Sequence, residues 1–231
     1  MSTRYPASLV ILTLNERAGS VALFDRIPFH CVAETVVVDG GSTDGTREFW
    51  ESQGVRVVSQ SRRGRGEAFR VGASATREPM LCYFSPDGNE DPADIPRLLS
   101  RLDEGFDLAI ASRFATGASN EEDVHWFRPR AWVNRLFTWI ANRFFNSGPW
   151  VSDTINGYRA ISRTAFDRLR LTECGFPIEY QMSIRSMRAG LRIVEIPTQE
   201  GQRIGGESKA HSLPVGMGHL KVLFSELGRG R

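Results

Sequence analysis

The sequence predicts an α/β chain built on a doubly wound, mostly parallel sheet with helices on both faces. Three observations predict it. Short apolar runs alternate with helix-length stretches at the spacing of strand–helix–strand units. The run Met80 to Phe84 is continuously apolar, the pattern of a strand buried on both faces. Several such runs end in acidic or amide side chains, at the strand ends where open parallel sheets collect their ligands.

The elements follow in order. Ser8 to Leu14 reads as the first strand, ending at Asn15 and Glu16 before a helical stretch to about Phe24. Thr35 to Val38 is the second, ending at Asp39. The turn Gly40 to Thr46 then offers small residues, backbone donors and capping side chains ahead of a helix through Gln53. Val55 to Val58, Met80 to Phe84 and Asp107 to Ala111 supply three further strands, with helices expected over Arg65–Thr76 and Ala93–Glu104 between them. Residues 114–129 lack periodicity and form a loop long enough to suggest function. A helix over Arg130–Phe145 follows, with Trp132, Leu136, Trp139 or Ile140, and Phe144 along one side and Arg135 and Arg143 interleaved. Such a stripe is ordinarily core packing; its aromatic and basic content also fits an acyl chain or a membrane interface. Residues 157–161 and Leu191–Ile196 read as extended, and Arg163–Leu169, Ile178–Ala189 and Leu213–Leu227 as helical. No linker, internal repeat or low-complexity tract divides the chain, so one domain over residues 1–231 is expected.

Composition sets outer bounds. At 231 residues, with 41% hydrophobic and 24% charged residues, the chain is long enough for one large α/β domain. The formal net charge of +2 gives no global attraction to polyanions. Positive charge is local instead, at Arg62-Arg63-Gly64-Arg65 and between Arg128 and Arg143, and local patches imply local anions. With no recognisable reader motif, nucleic acid is not an expected partner. Cys31, Cys82 and Cys174 are scattered without paired metal spacing, which fits a reduced, cytoplasmic interior. The first residues lack a signal-peptide core, and no window approaches the ~18 uninterrupted apolar residues that span a bilayer. Any membrane contact is therefore expected to be peripheral, at the cytoplasmic face.

The chemistry concentrates in Tyr83-Phe84-Ser85-Pro86-Asp87-Gly88-Asn89-Glu90-Asp91-Pro92, where an apolar strand runs into a turn crowded with oxygen ligands. Asp87 and Asn89 are hard donors suited to Mg²⁺ or Mn²⁺ bridging a diphosphate, a cation that keeps several waters and needs one or two protein carboxylates. The same residue types are ordinary turn formers, so the segment alone fits a capped turn equally well. Two other phosphate-binding classes drop out. A nicotinamide dehydrogenase wants G-x-G-x-x-G directly after the first strand, where this chain has Thr13-Leu14-Asn15-Glu16-Arg17. A P-loop enzyme wants a Gly-rich loop closing on Lys and Ser or Thr, and none is present.

Several motifs in sequence then carry a resemblance. Leu14-Asn15-Glu16 is followed by Val37-Val38-Asp39-Gly40-Gly41-Ser42-Thr43-Asp44-Gly45-Thr46, Arg63-Gly64-Arg65-Gly66-Glu67-Ala68 and Ala111-Ser112-Arg113. Asp153-Thr154-Ile155-Asn156-Gly157-Tyr158-Arg159, Glu195-Ile196-Pro197 and Arg203-Ile204-Gly205-Gly206-Glu207-Ser208-Lys209 complete the set. Together they resemble, nearly end to end, a family 2 glycosyltransferase with the GT-A fold, and most of all its polyprenyl (dolichyl) phosphate mannosyltransferase branch. The resemblance implies that Asn15, Glu16, Asp39, Gly41, Arg63, Gly66, Ser85 and Asp87 meet a nucleotide sugar, and that Asp87 and Asn89 hold Mg²⁺ or Mn²⁺. It implies that Arg113 and Arg130 contact an acceptor phosphate, while Arg203 and Lys209 lie over the active site beside the catalytic Asp87. Residues 1–113 would form the donor half, and 114–231 the acceptor half with a C-terminal amphipathic helix. Two departures stand out: Gly40 replaces the second Asp of the family's V-V-D-D-G signature, and Ser85 replaces the first carboxylate of its D-x-D motif.

The expected reaction is transfer of a hexose, with mannose from GDP-mannose favoured, onto a polyprenyl phosphate with inversion. A phosphate monoester is already anionic, with a second pKa near ~6, so it needs positioning cations more than a base. Arg128 is as well placed as Arg130 for that work. Two alternatives stay open. A hydroxyl acceptor would need a general base, for which Glu179 and Asp153 are the available carboxylates. A non-catalytic nucleotide-sugar sensor is suggested by the acids missing at Ser85 and Gly40. His125, His211 and His219 lack evident partners and read as structural or solvent-exposed.

Overall fold

Among the described residues seven strands build a single sheet: β1 (Ala7–Thr13), β2 (Glu34–Asp39), β3 (Arg56–Ser59), β4 (Met80–Phe84), β5 (Leu108–Ser112), β6 (Arg159–Ser162) and β7 (Ile193–Pro197). The computed structural model describes residues 3–119, 129–205 and 212–229. The strand order is β3-β2-β1-β4-β6-β5-β7. All pairings are parallel except those of β6, which runs antiparallel to both β4 and β5. The expected mostly parallel sheet is therefore present with one reversed strand inserted. Reading 157–161 as extended located β6 to within a residue or two, but its direction depends on the topology and not on any local pattern.

Among the described residues eight α-helices cover the sheet: α1 (Arg17–Leu23), α2 (Thr46–Ser52), α3 (Arg65–Ala75), α4 (Asp94–Asp103), α5 (Pro129–Phe145), α6 (Arg163–Leu169), α7 (Ile178–Arg188) and α8 (Ser212–Leu227). Alternation along β1 shows why both faces are covered. Leu9 and Ile11 join a core with Trp50 of α2 and Ile95, Leu98 and Leu99 of α4. Val10 and Leu12 join the opposite core with Phe69 of α3 and Ile178, Tyr180 and Met182 of α7. Each fully buried aliphatic or aromatic side chain of this kind contributes roughly 1.5–3 kcal/mol, which explains why continuous apolar runs, and not alternating ones, mark these strands. Trp50 also satisfies its indole by donating to Ser20 Oγ at 3.0 Å.

The long helix α5 corrects one expectation. Its core-facing stripe is Phe137, Ala141 and Phe145, all buried, whereas Trp132, Leu136, Trp139 and Phe144 are each more than half exposed. The sequence holds two apolar stripes on this helix, and the one that packs on α7 is the narrower. Helix α8 repeats the arrangement: Val222 and Leu223 are buried, while Met217, Leu220, Phe224 and Leu227 face outward. Among the described residues no helix is long and apolar enough to cross a membrane, and Cys31, Cys82 and Cys174 are free thiols.

Candidate active site

Strands β1, β2, β4, β5 and β7 end on one edge of the sheet, and β6 enters from it. A cleft of about 590 Å³ lies along that edge. Its walls come from Leu14 and Glu16 after β1, Gly40 after β2, Arg63 and Arg65 at the start of α3, and the Ser85–Glu90 turn after β4. Arg113 after β5, Glu179 of α7 and Arg203 close it. Local sequence explains the turn. Phe84 ends the apolar run, Gly88 takes φ +99, which a side chain disfavours, and the chain reverses so that Asn89 N donates to Asp87 Oδ1 at 3.1 Å.

A late loop, residues 198–205, is pinned onto this turn. Ile204 N donates to Asp87 O at 2.7 Å, Gly201 N to Asn89 O at 3.0 Å, and Asn89 Nδ2 to Gly201 O at 2.9 Å. Gly88 is required here a second time, because a Cβ would meet Gln202 O at 2.6 Å. The loop delivers Arg203, which donates to Asp87 Oδ2 at 2.7 Å and to Glu16 Oε1. Carboxylates after β1 and β4 thus share one guanidinium.

A second ionic cluster lines the cleft beneath. Arg65 donates to Glu179 Oε1, and to Ser85 Oγ at 3.2 Å, and approaches Glu90 Oε1 at 4.0 Å. Burial alone would lower the Arg65 pKa, but Glu179 and Glu90 outweigh it and hold the guanidinium firmly charged. Glu90 Oε2 accepts from Ser85 N at 2.6 Å. Burial pushes the Glu90 carboxyl up to about 8; Arg65 opposes that push and the Asp87 charge adds to it.

Arg113 makes a bidentate pair with Asp153, Nε to Oδ2 at 2.8 Å and Nη2 to Oδ1 at 3.1 Å, and its Nη1 lies 3.7 Å from Glu200 Oε1. Burial would raise the Asp153 pKa, but the Arg113 charge and its hydrogen bonds keep it below the usual carboxylate range. Glu195 in turn accepts from Ser152 N at 2.7 Å and Asp153 N at 2.8 Å, fixing the loop that carries Asp153. Arg159 is fully buried, with Nη1 on Glu179 O at 3.1 Å and Nε on Asn156 O at 2.9 Å; burial brings its pKa down to about 10, still charged near neutrality. The Tyr158-Arg159 and Glu195-Pro197 motifs therefore shape the cleft from behind.

Of the residues expected from the sequence, Glu16, Arg63, Ser85, Asp87, Asn89, Arg113 and Arg203 converge on the cleft. Four others serve the loops around it. Asn15 sits at φ +52 and accepts from Thr43 N at 2.8 Å, tying the end of β1 to the next turn. Asp39 spends its carboxylate on that turn, accepting from Gly41 N and Ser42 N at 3.0 Å each. Gly41, at φ +90, shapes the same turn. Gly66 donates its N–H to Cys174 O at 2.9 Å, and a Cβ there would meet Glu173 O at 2.2 Å, so it is a packing glycine and its N–H is already engaged. Arg130 falls in the first turn of α5, its side chain outside what is described, and Arg128, His125, Lys209 and His211 lie outside the described residues. Arg65 and Glu90 are cleft residues to which sequence reasoning gave no individual role; Arg65 stood in plain view in the Arg63-Gly64-Arg65 run. His219, read as structural or solvent-exposed, is buried and borders the cleft.

The β4 turn offers the Asp87 carboxylate and the Asn89 amide, both hard oxygen donors, with the Ser85 hydroxyl beside them engaged by Arg65, so it fits Mg²⁺ or Mn²⁺. Among the described residues no three His, Cys, Asp or Glu side chains group as a ready-made cage. Such an ion relies on phosphate oxygens and water for the rest of its shell.

Residues 8–170 match the sequence profile of glycosyl transferase family 2. The chain belongs to that family. The transferase is 35% identical over 202 residues to glycosyltransferase AglJ of Haloferax volcanii, a match covering 85% of this chain and 62% of AglJ. It thus spans less than two thirds of that relative's length. It is 28% identical over 240 residues to the polyprenol monophosphomannose synthase of Mycolicibacterium smegmatis, covering 96% of this chain and 87% of the synthase. Among solved structures it resembles Mycobacterium tuberculosis glucosyl-3-phosphoglycerate synthase in complex with Mn²⁺, UDP and phosphoglyceric acid. The TM-score is 0.75 at 24% identity, over 98% of this chain and 80% of that one. The fold of the transferase is GT-A.

Proposed function

We propose that this family 2 glycosyltransferase moves a hexose from a nucleoside diphosphate sugar onto a polyprenyl phosphate with inversion, and that mannose from GDP-mannose is its preferred donor. One observation carries the reading: the two carboxylates that the sequence offers as base for a hydroxyl acceptor are engaged by guanidinium groups, Asp153 by Arg113 and Glu179 by Arg65. A carboxylate held in an ion pair is a weak proton acceptor, whereas a lipid phosphate brings its own negative charge and calls for cations. The outward apolar stripes of α5 and α8 lend support, since they interleave with Arg135, Arg143 and Lys221 in the manner of a helix lying on an anionic membrane surface. The name of the mycobacterial synthase points the same way.

Residues 1–113 bind the donor in this reading and 114–231 the acceptor. Arg113 and Arg130 position the acceptor phosphate, with Arg203 and Lys209 over the reacting groups and Arg63 near the donor diphosphate. Asp87 and Asn89 would hold Mg²⁺ or Mn²⁺, which when bound neutralises charge on the departing nucleoside diphosphate. The protein works at the cytoplasmic membrane face by peripheral contact.

The test is direct. Purified protein is incubated with a panel of nucleotide sugars and a polyprenyl phosphate, and glycosyl lipid is sought by mass spectrometry. Mannosyl lipid from GDP-mannose is expected. Glycosylation of a hydroxyl acceptor, with none of the lipid phosphate under the same donors, overturns the proposal.

A further inference from the structure

We propose that Glu90 supplies the metal carboxylate that Ser85 lacks, so that the cation is held by Asp87 and Glu90 from the two ends of one turn. This rests on the metal-dependent reading above and deepens it. The geometry begins with the reversal at Gly88, which brings residue 90 back beside the end of β4. Glu90 Oε2 accepts from Ser85 N at 2.6 Å, so its carboxylate lies over the residue where the family's first acid would project. Glu90, Asp87, Asn89 and Ser85 all line the same cleft.

The other carboxylate oxygen is poorly matched among the described residues. The cation paired with Glu90 is Arg65, whose Nη2 stops 4.0 Å from Oε1, while Arg65 makes closer bonds to Glu179 and to Ser85 Oγ at 3.2 Å. A largely buried acid, its side chain 11% exposed, carries a desolvation cost that a distant guanidinium offsets poorly. A divalent cation between Asp87 and Glu90 would offset it well. The turn's neighbour already behaves as a cation seat, since Asp87 Oδ2 holds a guanidinium nitrogen at 2.7 Å. Ser85 Oγ, which accepts from Arg65, is left as a prop for that guanidinium and not as a ligand.

The experiment is titration with Mn²⁺, alone and with GDP or UDP, followed by loss of the free-ion paramagnetic resonance signal. Glu90→Gln, which keeps an acceptor for Ser85 N, is expected to raise the Mn²⁺ Kd at least tenfold, and Ser85→Asp added to Glu90→Gln to restore it to within threefold. Ser85→Asp alone leaves Glu90 untouched and covers the case in which Glu90→Gln folds poorly. It is expected to tighten Mn²⁺ less than threefold, because the carboxylate is already supplied. An unchanged Kd in Glu90→Gln while Asp87→Asn loses the ion, or a gain of tenfold or more in Ser85→Asp alone, overturns the role of Glu90 and leaves the metal reading standing. A wild-type protein that takes up no Mn²⁺ with or without nucleotide overturns both.

Discussion

The Arg203 guanidinium donates to Asp87 Oδ2 at 2.7 Å and reaches Glu16 with its other terminal nitrogen. It therefore sits on the carboxylate proposed to hold the cation and on one proposed to meet the nucleotide, and its Nε is buried without a hydrogen-bond partner among the described residues. The cleft thus carries its own internal cation. On the proposed function, a metal ion at Asp87 would compete with this guanidinium, and the released Arg203 would lie near the donor diphosphate. Arg203→Ala is expected to tighten Mn²⁺ alone by about threefold to tenfold, the ~1 kcal/mol scale of a partly buried charge pair, while weakening GDP or UDP. Paramagnetic titration with and without nucleotide checks both signs.

Gly66 supports the start of α3 through packing. Its position in the first turn of α3 would ordinarily favour Ala over Gly by ~0.5–1 kcal/mol. A Cβ at 2.2 Å from Glu173 O reverses that preference, because a backbone oxygen does not move aside as a flexible side chain does. Gly66→Ala is expected to destabilise by about 1–3 kcal/mol, with Gly148→Ala, whose nearest outside atom is 3.5 Å away, close to neutral. Urea denaturation midpoints compare the two.

How much of this was legible before the structure depends on which forces write locally. The strand at Met80–Phe84 and the acid at Asp87 follow from a five-residue apolar run and its terminus, patterns that burial and turn chemistry impose directly. The roles of Asp39 and Gly66 were not legible, because their partners come from backbone N–H and C=O groups whose direction a sequence does not display. Arg65 and Glu179 are 114 residues apart, and nothing in either neighbourhood announces the other. The outward turn of Trp132 and Trp139 was equally hidden, since hydrophobicity alone does not say which of two apolar stripes meets the core.

His219 gives the fold an acid sensitivity. Burial against Phe137 and Tyr180 brings its pKa down to about 4 from 6.5. Between those values the unfolded chain binds a proton that the folded chain refuses, so unfolding becomes easier as pH falls from 6.5 to 4 and the loss levels off below. Full stabilisation is present above the unfolded value. The scale is up to about 3 kcal/mol from the shift at 1.36 kcal/mol per unit. His219→Phe keeps an aromatic ring and removes the titration, so its stability between pH 7 and pH 5 is expected to fall less than that of the wild type. Urea melts at the two pH values give the comparison, and parallel losses in both proteins would assign the acid sensitivity elsewhere.

Glu226 anchors the helix that carries His219 and the outward residues Met217, Leu220 and Phe224. Its carboxylate is 1% exposed and accepts from Arg185 Nε at 2.8 Å, with Arg188 Nη1 at 3.4 Å, so one buried acid bonds α8 to two arginines of α7. Arg185 is itself 8% exposed, and its charge has little access to water once the acid is gone. Removing one partner of such a pair costs about 3–5 kcal/mol, because it leaves the other desolvated and uncompensated. Glu226→Ala is expected to show that loss, and Glu226→Gln a smaller one, since the amide oxygen still accepts from Arg185. The damage should be local first: amide hydrogen exchange in α8 is expected to rise well before exchange in β1 or β4, because the anchor joins α8 to α7, and among the described residues no hydrogen bond or ion pair links Glu226 to those strands. On the proposed membrane contact, lipid-vesicle binding should survive in Glu226→Gln, as the outward stripe is unchanged. Equal acceleration across α8 and the central strands would show that α8 unfolds only with the whole sheet.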